Sequence, residues 1–406
     1  MIDTHRTVRQ VADESYGRLV AFLAGRCRDL SAVEDALSEA FVSALESWPE
    51  TGIPAKPEAW LLTVARRRLI DAARHARVHS ETVPTFRAAA EEAQAMLNAE
   101  TEFPDERLKL LFVCAHPAID VNVRTPLMLQ TVLHLDAARI ASVFLMKPAA
   151  MGQRLSRAKA KIRDARIPFE IPEAADLPRR LGTVLEAVYA AYGSGWDDVA
   201  GTDLKRKGLA TEAIDLGRLL IQLMPQEPES RGLLSLMLHC EARRTTRRSA
   251  TGEYIPLSDQ DPLQWSRPMI DEGERLLQEA AQMGVLGPFQ LEAAIQSVHS
   301  RRLITGFTDW GTIMLLYEGL VQLAPTIGGL VGRAAAVGEA KDASAGLALL
   351  DNLRPEMIQT YQPYWASRSH LLRQLGRLVE ARSACERAIG LCEDEAMRAF
   401  LKRHMP

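Results

Sequence analysis

Helical spacing of apolar residues is the feature that most constrains what this chain can fold into. Apolar side chains recur every three or four residues along almost all of its 406 residues, and the strict alternation of a half-buried strand is nearly absent. Hydrophobic residues make up 47 % and charged residues 25 % of the chain, which is typical of a globular protein. The sequence therefore predicts an all-α protein of two or three domains, since a domain takes roughly 150 residues.

Motifs of membrane, redox and catalytic proteins are missing from the sequence. No stretch approaches the roughly 20 apolar residues that span a bilayer, and the N-terminus lacks the apolar core of a signal peptide. The five cysteines are scattered, so we expect reduced thiols in a cytoplasmic protein, without a disulfide framework or a metal site. Phosphate-binding glycine loops and nucleophile motifs are not found either. We expect no membrane association, no cofactor and no enzymatic activity.

Charge is segregated into blocks in the first part of the chain. Residues 29–55 contain six carboxylates and no lysine or arginine. Residues 49–57 are rich in proline and predict a loop, because proline interrupts helices. The helix predicted over residues 60–77 has a basic outer side. An acidic helix, a loop and a basic helix therefore follow one another.

A second basic block occupies residues 147–166, with seven basic residues and one acid. A short helix is predicted over residues 135–144, then a tight turn, then a helix starting at Pro148, since proline suits the first helical position. The inner face of this helix is predicted to carry Met151, Leu155, Ala158 and Ile162. Its outer face is predicted to expose Gln153, Arg154, Ser156, Arg157, Lys159, Lys161 and Arg163.

Helix, turn and basic helix are the helix-turn-helix plan, in which the second helix enters the major groove of DNA. Forked and amide side chains discriminate base edges, so we expect Gln153, Arg154 and Arg157 to read the sequence. The lysines supply phosphate contacts, which add affinity and position the helix. Basic and acidic helices are also common as plain solvated surfaces, so each block alone leaves that alternative open.

Taken in order, these segments resemble a known family. Residues 31–41 and 59–74 are similar to region 2 of the extracytoplasmic-function sigma factors of bacterial RNA polymerase, and residues 135–163 look like region 4. The chain that follows is similar to the subgroup with a long tetratricopeptide-like C-terminal extension. The resemblance implies region 2 at residues 8–82, a linker at 83–104, region 4 at 105–168 and a tetratricopeptide-like helical domain at 173–406.

The resemblance also implies partners, namely promoter DNA and the β and β′ subunits of the RNA polymerase core. Glu34, Asp35 and Glu39 would then dock on the polymerase clamp helices. The residues expected at the −10 element, which we call the −10 set, are Lys56, Trp60, Arg66, Arg67, Asp71, Arg74 and Arg77. Those expected at the −35 element, the −35 set, are Lys147, Gln153, Arg154, Arg157, Lys159 and Lys161. From its place at a helix start, Trp60 is also expected to anchor the core.

The C-terminal 230 residues look like stacked helix pairs. Two segments end in Leu-x-Pro, at Pro225 and Pro325, and residues 365–389 form the clearest repeat unit. Such pairs bury their apolar faces by stacking and leave a concave surface, where we expect a protein partner. The polar insert at residues 243–265 is expected to lie across the array, and Gly328–Gly332 to be a close helix contact.

Three functions are compatible with these patterns. The first is an alternative sigma factor that directs the polymerase core to specific promoters and is regulated by its C-terminal domain. The second is a helix-turn-helix transcriptional regulator that acts on duplex DNA without polymerase. The third is a tetratricopeptide scaffold whose basic helices are ordinary surface.

Overall fold

The computed structural model describes residues 2–27, 29–75, 105–144, 146–173, 175–196 and 204–406. Over these ranges the secondary structure is helical, and the only β-type pairing is an isolated bridge between Arg248 and Tyr254. The all-α prediction is thus confirmed. Among the described helices, none combines the length and the hydropathy needed to cross a membrane. The predicted linker at 83–104 lies outside the described residues.

The chain divides into two compact units. The first comprises Met1–Gly195 and Leu204–Ala213, and the second Trp196–Asp203 and Ile214–Pro406. Helix bounds in the first unit are α1 (Ile2–Cys27), α2 (Leu30–Thr51), α3 (Pro57–His75), α4 (Arg107–Cys114), α5 (Val121–Thr131), α6 (Ala137–Val143), α7 (Pro148–Asp164) and α8 (Leu177–Trp196), followed by α9 (Leu204–Leu223), which the two units share.

Helix α1 is the centre of the first unit. The six residues from Leu19 to Ala24 are all at most 3 % exposed. Consecutive residues point in every direction around a helix, so α1 is covered on all sides. Helices α2 and α3 pack on it from one side, and α4, itself almost fully buried, packs on it as well. The segment predicted as region 2 therefore packs directly on the segment predicted as region 4.

Helix α2 is longer than the proline pattern predicted. Asp29 caps its start by accepting a hydrogen bond from the Ala32 backbone N–H at 3.2 Å. Pro49 lies inside its last turn, and the helix ends only at Gly52, whose φ of 84° is accessible to glycine. The predicted loop at 49–57 is therefore shortened to residues 52–56, because proline near a helix end disturbs few hydrogen bonds.

Helix α7 follows its predicted pattern closely. Pro148 occupies its first turn, and the four predicted apolar positions are buried. The helix packs against α6, α5 and α2. A fifth buried residue, Lys159, lies in the same stripe and was not expected there.

The second unit is a succession of helices, most of which pack on the helix before or after them in the chain. Their bounds are α10 (Pro228–Ala242), α11 (Arg267–Gln282), α12 (Pro288–Ser300), α13 (Arg302–Thr305), α14 (Trp310–Leu323), α15 (Ile327–Ala340), α16 (Ala343–Asp351), α17 (Pro355–Ile358), α18 (Gln362–Gln374), α19 (Leu378–Leu391) and α20 (Glu395–Arg403). A Cβ on Gly332 of α15 would lie 2.5 Å from the ring of Tyr317 on α14, so the glycine segment is the close helix contact that was predicted.

The insert at residues 243–265 crosses the second unit as predicted. The buried Trp265 donates its Nε1 hydrogen to the Thr246 hydroxyl at 3.1 Å, which fixes the start of the insert to its end. Arg248 pairs with Asp394, the residue that caps α20. The insert thereby connects the beginning of the unit to its last helix.

A buried histidine lies between α10, α11 and α12. The Nδ1 atom of His239 is 3.1 Å from the Ser300 hydroxyl, and its Nε2 has no hydrogen-bond partner among the described residues. Burial, together with Arg243, lowers the pKa of His239 to about 4. The ring is therefore neutral at pH 7, and the carboxylate of Glu274, 3.7 Å away, does not form an ion pair with it.

Candidate nucleic-acid interface

Helices α2 and α3 present opposite charges on neighbouring surfaces. Asp35 and Glu39 are exposed on α2, and the Glu39 carboxylate lies 3.4 Å from the Arg68 guanidinium of α3. Both side chains of this pair are more than half exposed, so it contributes at most about 1 kcal/mol to stability. Asp35 and Glu39 are thus accessible to a partner.

The −10 set is spread along the loop and α3. Its exposed members are Lys56, Arg67 and Asp71, and its half-buried members are Trp60 and Arg66. The side chain of Arg74 and the whole of Arg77 lie outside the described residues.

Trp60 is held by a second tryptophan. Its ring centroid lies 5.3 Å from that of Trp48, and the two rings are nearly perpendicular, at 67°. Trp48 is 2 % exposed, so the pair attaches the start of α3 to the end of α2. Trp60 therefore occupies the anchoring position that was expected. The tryptophan pair orients the loop between α2 and α3.

Most of the −35 set lies exposed on or next to α7. The exposed members are Lys147, Gln153, Arg154, Arg157 and Lys161. A cleft of about 370 Å³ is lined by Arg154, Arg157 and Lys161 of α7 and by Asp120 and Asn122 at the start of α5. The helix therefore offers forked and amide side chains together, which is the combination that base-edge recognition uses.

Lys159 contradicts the sequence prediction of an exposed side chain. It is 7 % exposed, and its ammonium group forms an ion pair with the Glu34 carboxylate of α2. Glu34 was expected at the polymerase and Lys159 at DNA. The structure brings these two together instead, and neither is free to reach a partner in this arrangement.

Burial dominates the electrostatics of this pair. Burial raises the pKa of Glu34, and this effect exceeds the opposing influence of Lys159. A second ion pair connects the same two segments, between Arg163 of α7 and Asp29 at the start of α2, at 3.6 Å. Arg163 is half exposed, so this outer pair is the weaker of the two.

An aromatic contact also joins the segments predicted as region 2 and region 4. The ring of Tyr16 on α1 lies 3.6 Å from that of His134, centroid to centroid. His134 has a positive φ of 52°, which is uncommon outside glycine. Burial raises the pKa of Tyr16, and the nearby carboxylates of Glu34 and Asp35 raise it further. Local sequence patterns do not predict this contact, because the two residues lie far apart in the chain.

No group of histidine, cysteine and acidic residues suited to a metal ion occurs in the part of the chain that the structure describes. Four of the five cysteines are buried, and the fifth, Cys27, is half-buried with a pKa raised to about 11 by burial. A thiol with such a pKa is protonated and weakly reactive at neutral pH.

Comparisons with known proteins agree with part of the sequence interpretation. The model of sigma-70 region 2 matches residues 12–78, which include most of α1 and all of α2 and α3. A family of unknown function (DUF6596) matches residues 180–281. The region 2 match supports a sigma-factor-like role in promoter recognition by RNA polymerase. Neither match addresses the tetratricopeptide-like character of the C-terminal half.

One curated relative covers nearly the whole chain. It is the uncharacterized protein R00370 of Rhizobium meliloti (strain 1021), 37 % identical over 387 residues, which is 93 % of this chain and 90 % of the relative. No solved structure gives a significant match. At this identity and coverage, the chain belongs to the family of the rhizobial protein R00370, and its N-terminal part is similar to sigma-70 region 2.

Proposed function

We propose that this protein is an alternative sigma factor that directs the RNA polymerase core to specific promoters. The observation that carries the proposal is the sigma-70 region 2 match over residues 12–78, within which α2 presents acidic side chains and α3 basic ones. Sigma-70 proteins are non-enzymatic transcription factors. We accordingly expect a cytoplasmic protein without catalytic activity or cofactor.

Helix α2 is the proposed contact for the β and β′ subunits of the core. Asp35 and Glu39 are exposed, and Glu34 joins them once it is released from Lys159. Complementary charge at such a contact accelerates association and selects the partner. A basic surface on the clamp helices of polymerase would complement the charges of Glu34, Asp35 and Glu39.

The loop at 52–56 and helix α3 are proposed to hold the −10 element as a separated strand. Lys56 and Arg67 are exposed where they can bind phosphates. Bases captured out of the stack offset the cost of opening the duplex, which is a few kcal/mol. No nucleotide hydrolysis is needed for such a step.

Helix α7 is proposed as the reading helix of a helix-turn-helix for the −35 element. Arg154 and Arg157 have the forked geometry that binds guanine in two places, and Gln153 suits adenine. Each such contact discriminates its base by about 1–3 kcal/mol. Lys147 and Lys161 are assigned to phosphates.

The C-terminal half is proposed to regulate the sigma part and to carry a protein partner on a repeat-like surface. Charge supports this assignment, because the residues from Phe169 onward contain 26 basic and 31 acidic side chains, whereas those before it contain 23 and 21. An acidic half and a basic half attract each other.

The decisive experiment is capture of the polymerase core by the purified full-length chain at low salt, followed by transcription and sequencing of the promoters used. Asp35→Ala with Glu39→Ala is expected to weaken core binding at least tenfold, whereas Glu186→Ala, an exposed acid of α8, leaves it unchanged. Absence of core binding overturns the proposal. A shift of promoter DNA without polymerase would instead support a helix-turn-helix regulator.

Truncation tests the regulatory role. Arg180 of α8 donates to the Phe112 carbonyl, and Glu212 of α9 pairs with Arg107, so the shortened chain has to keep both helices. We therefore choose a variant that ends at Pro225, after α9. Unchanged core affinity and promoter activity would count against regulation by the second unit. Wild-type transcription after Arg154→Ala with Arg157→Ala would favour the scaffold alternative.

A further inference from the structure

Three large apolar side chains of the second unit are exposed at neighbouring places. Leu263 is 83 % exposed, Ile304 74 % and Phe307 64 %. Leu263 belongs to the one-turn 3₁₀ helix Pro262–Gln264 of the insert, which contacts α13, the helix that carries Ile304. Phe307 follows α13 by two residues. We call these three side chains the apolar patch, since exposed apolar surfaces of a few hundred Å² on a single chain often mark interaction sites.

Arg302 of α13 fixes the two segments of the apolar patch to each other. Its guanidinium donates to the carbonyl oxygens of Ser258 and Gln260 in the insert, at 3.2 and 2.6 Å. It also lies over the ring of the buried Trp265, 5.3 Å from the ring centroid. A guanidinium held by two carbonyl oxygens and an aromatic ring has little freedom to move. The insert and α13 therefore present their apolar side chains from one fixed support.

The outer members of the apolar patch are held by local hydrogen bonds. The Thr305 hydroxyl donates to the Phe307 carbonyl oxygen at 2.8 Å, across a turn at Gly306, whose φ is 76°. On the insert, the Asp261 carboxylate accepts from the Leu263 N–H at 3.0 Å. A surface that is ordered before it binds loses less conformational entropy on binding. The apolar patch is thus preformed rather than a loose loop tip.

Three exposed carboxylates surround the apolar patch. Asp259 lies close to Arg302, and Asp309 close to Arg301. Asp261 forms no ion pair with any residue that the structure describes, and its carboxylate accepts from the Leu263 N–H and the Gln264 side chain. An uncompensated negative charge therefore lies directly beside Leu263. An occupant that carries a cation next to its apolar contacts complements this surface.

The size of the apolar patch indicates what kind of partner it fits. A stable interface between two copies of a chain buries about 800 Å² on each side. Three side chains supply much less than that. A single amphipathic helix, by contrast, binds through a few apolar anchors spaced i, i+3, i+4 and i+7 along one face. Such anchors carry most of the binding energy of an interface, so a small patch suffices for them.

We propose that Leu263, Ile304 and Phe307 are the docking site for one amphipathic helix of a protein partner, which places apolar anchors on the patch and a lysine or arginine on Asp261. The site lies on the insert and α13. It rests on the proposed function for the expectation that the C-terminal half has a protein partner. Docking covers the exposed apolar side chains and gives Asp261 its counter-charge.

The probe is a display library of helical peptides of about 15 residues, apolar at i, i+3, i+4 and i+7 and randomised elsewhere. It is selected on the full-length chain, and binding of the selected peptides is measured by fluorescence anisotropy. Leu263→Ser and Phe307→Ser are each expected to weaken binding at least tenfold. Val379→Ser is the matched control, because this valine is 86 % exposed on α19 of the same unit. It is expected to leave the affinity unchanged.

Asp261→Asn tests the charge separately from the apolar contacts. Asparagine keeps a side-chain oxygen that accepts from the Leu263 N–H, so the local turn is retained. The selected peptides are expected to contain lysine or arginine beside the anchors, and Asp261→Asn to weaken their binding at least threefold. A peptide whose basic residue is replaced by glutamine is expected to bind wild type and Asp261→Asn equally well. Equal losses in both peptides overturn the assigned role of Asp261.

The docking site is wrong if the selection yields no binding peptide, or if the selected peptides bind Leu263→Ser and Phe307→Ser as tightly as wild type. Sedimentation tests a second copy as the occupant, and a dimer that Phe307→Ser abolishes overturns the proposal. The peptide assay contains no polymerase. If the chain does not bind the core but the peptides dock as expected, the sigma-factor assignment fails and the docking site stands. If the core binds and no peptide docks, the docking site fails alone.

Discussion

Substitution of Lys159 by methionine isolates the energetics of the buried ion pair. It removes the counter-charge of Glu34, whose side chain is 19 % exposed, and keeps most of the buried volume of the lysine. Removing one partner of a buried pair costs about 3–5 kcal/mol. Protonation of Glu34 limits that cost, since placing a proton on an ordinary glutamate at pH 7 takes about 3.5 kcal/mol. We therefore expect Lys159→Met to weaken the packing of α7 on α2 by about 3 kcal/mol.

Because protonation of Glu34 limits the cost of Lys159→Met, that cost depends on pH. Burial raises the pKa of Glu34 in the packed state, so that state binds the proton more tightly than the opened one. Lowering the pH towards the ordinary value of 4.5 therefore favours the packed state, and the cost of Lys159→Met should shrink to less than about 1 kcal/mol at pH 5. The Lys159→Met, Glu34→Gln double variant should lose less packing free energy than Lys159→Met alone, because it buries no unpaired charge.

Native-state hydrogen exchange of the full-length chain is the assay, with the free energy of opening taken from residues 151–162. Arg163→Met is the control, since its ion pair is half exposed and worth less than about 1 kcal/mol. The prediction is wrong if Lys159→Met costs the same at pH 7 and at pH 5. It is also wrong if the effects of Lys159→Met and Glu34→Gln simply add.

Four further predictions concern other parts of the molecule. Lys161→Ala should reduce the slope of log Kobs against log salt by about 0.9 in fluorescence anisotropy with promoter DNA, and an unchanged slope would exclude a phosphate contact. His239 and His299 have pKa values lowered to about 4, so the second unit should lose about 2 kcal/mol per histidine between pH 7 and pH 5 in urea unfolding. Gly346→Ala should destabilise that unit by about 1–3 kcal/mol, because its Cβ would lie 2.7 Å from a carbonyl oxygen of α15. Gly390→Ala, with open space around it, should stabilise the unit by about 0.4–1 kcal/mol in thermal unfolding.

Local patterns predicted the helices well, because periodicity reports which face of a helix is buried. Leu155 and Ile162 are buried in α7 as their spacing requires. The same spacing contains a signal for Lys159, which follows Leu155 by four residues and precedes Ile162 by three, and so belongs to the apolar stripe. Reading Lys159 as a surface residue gave its charge more weight than its position.

The partner of Lys159 could not be found in this way. Glu34 lies 125 residues earlier and occupies an ordinary place on an acidic helix. Contacts between distant segments depend on how whole helices pack, which the local pattern does not encode. For the same reason the sequence predicted separate region 2 and region 4 domains, whereas α1 is buried against helices of both.

The ion pair between Glu34 and Lys159 determines how α2 and α7 align. Burial works against Glu34 more strongly than Lys159 compensates, so the pair fixes the alignment of α2 and α7 more than it stabilises them. A leucine pair at the same place would hold the helices together and would have no affinity for polymerase or DNA. A partner could replace Lys159 only by supplying a cation of its own, because a neutral surface would leave the Glu34 carboxylate unpaired.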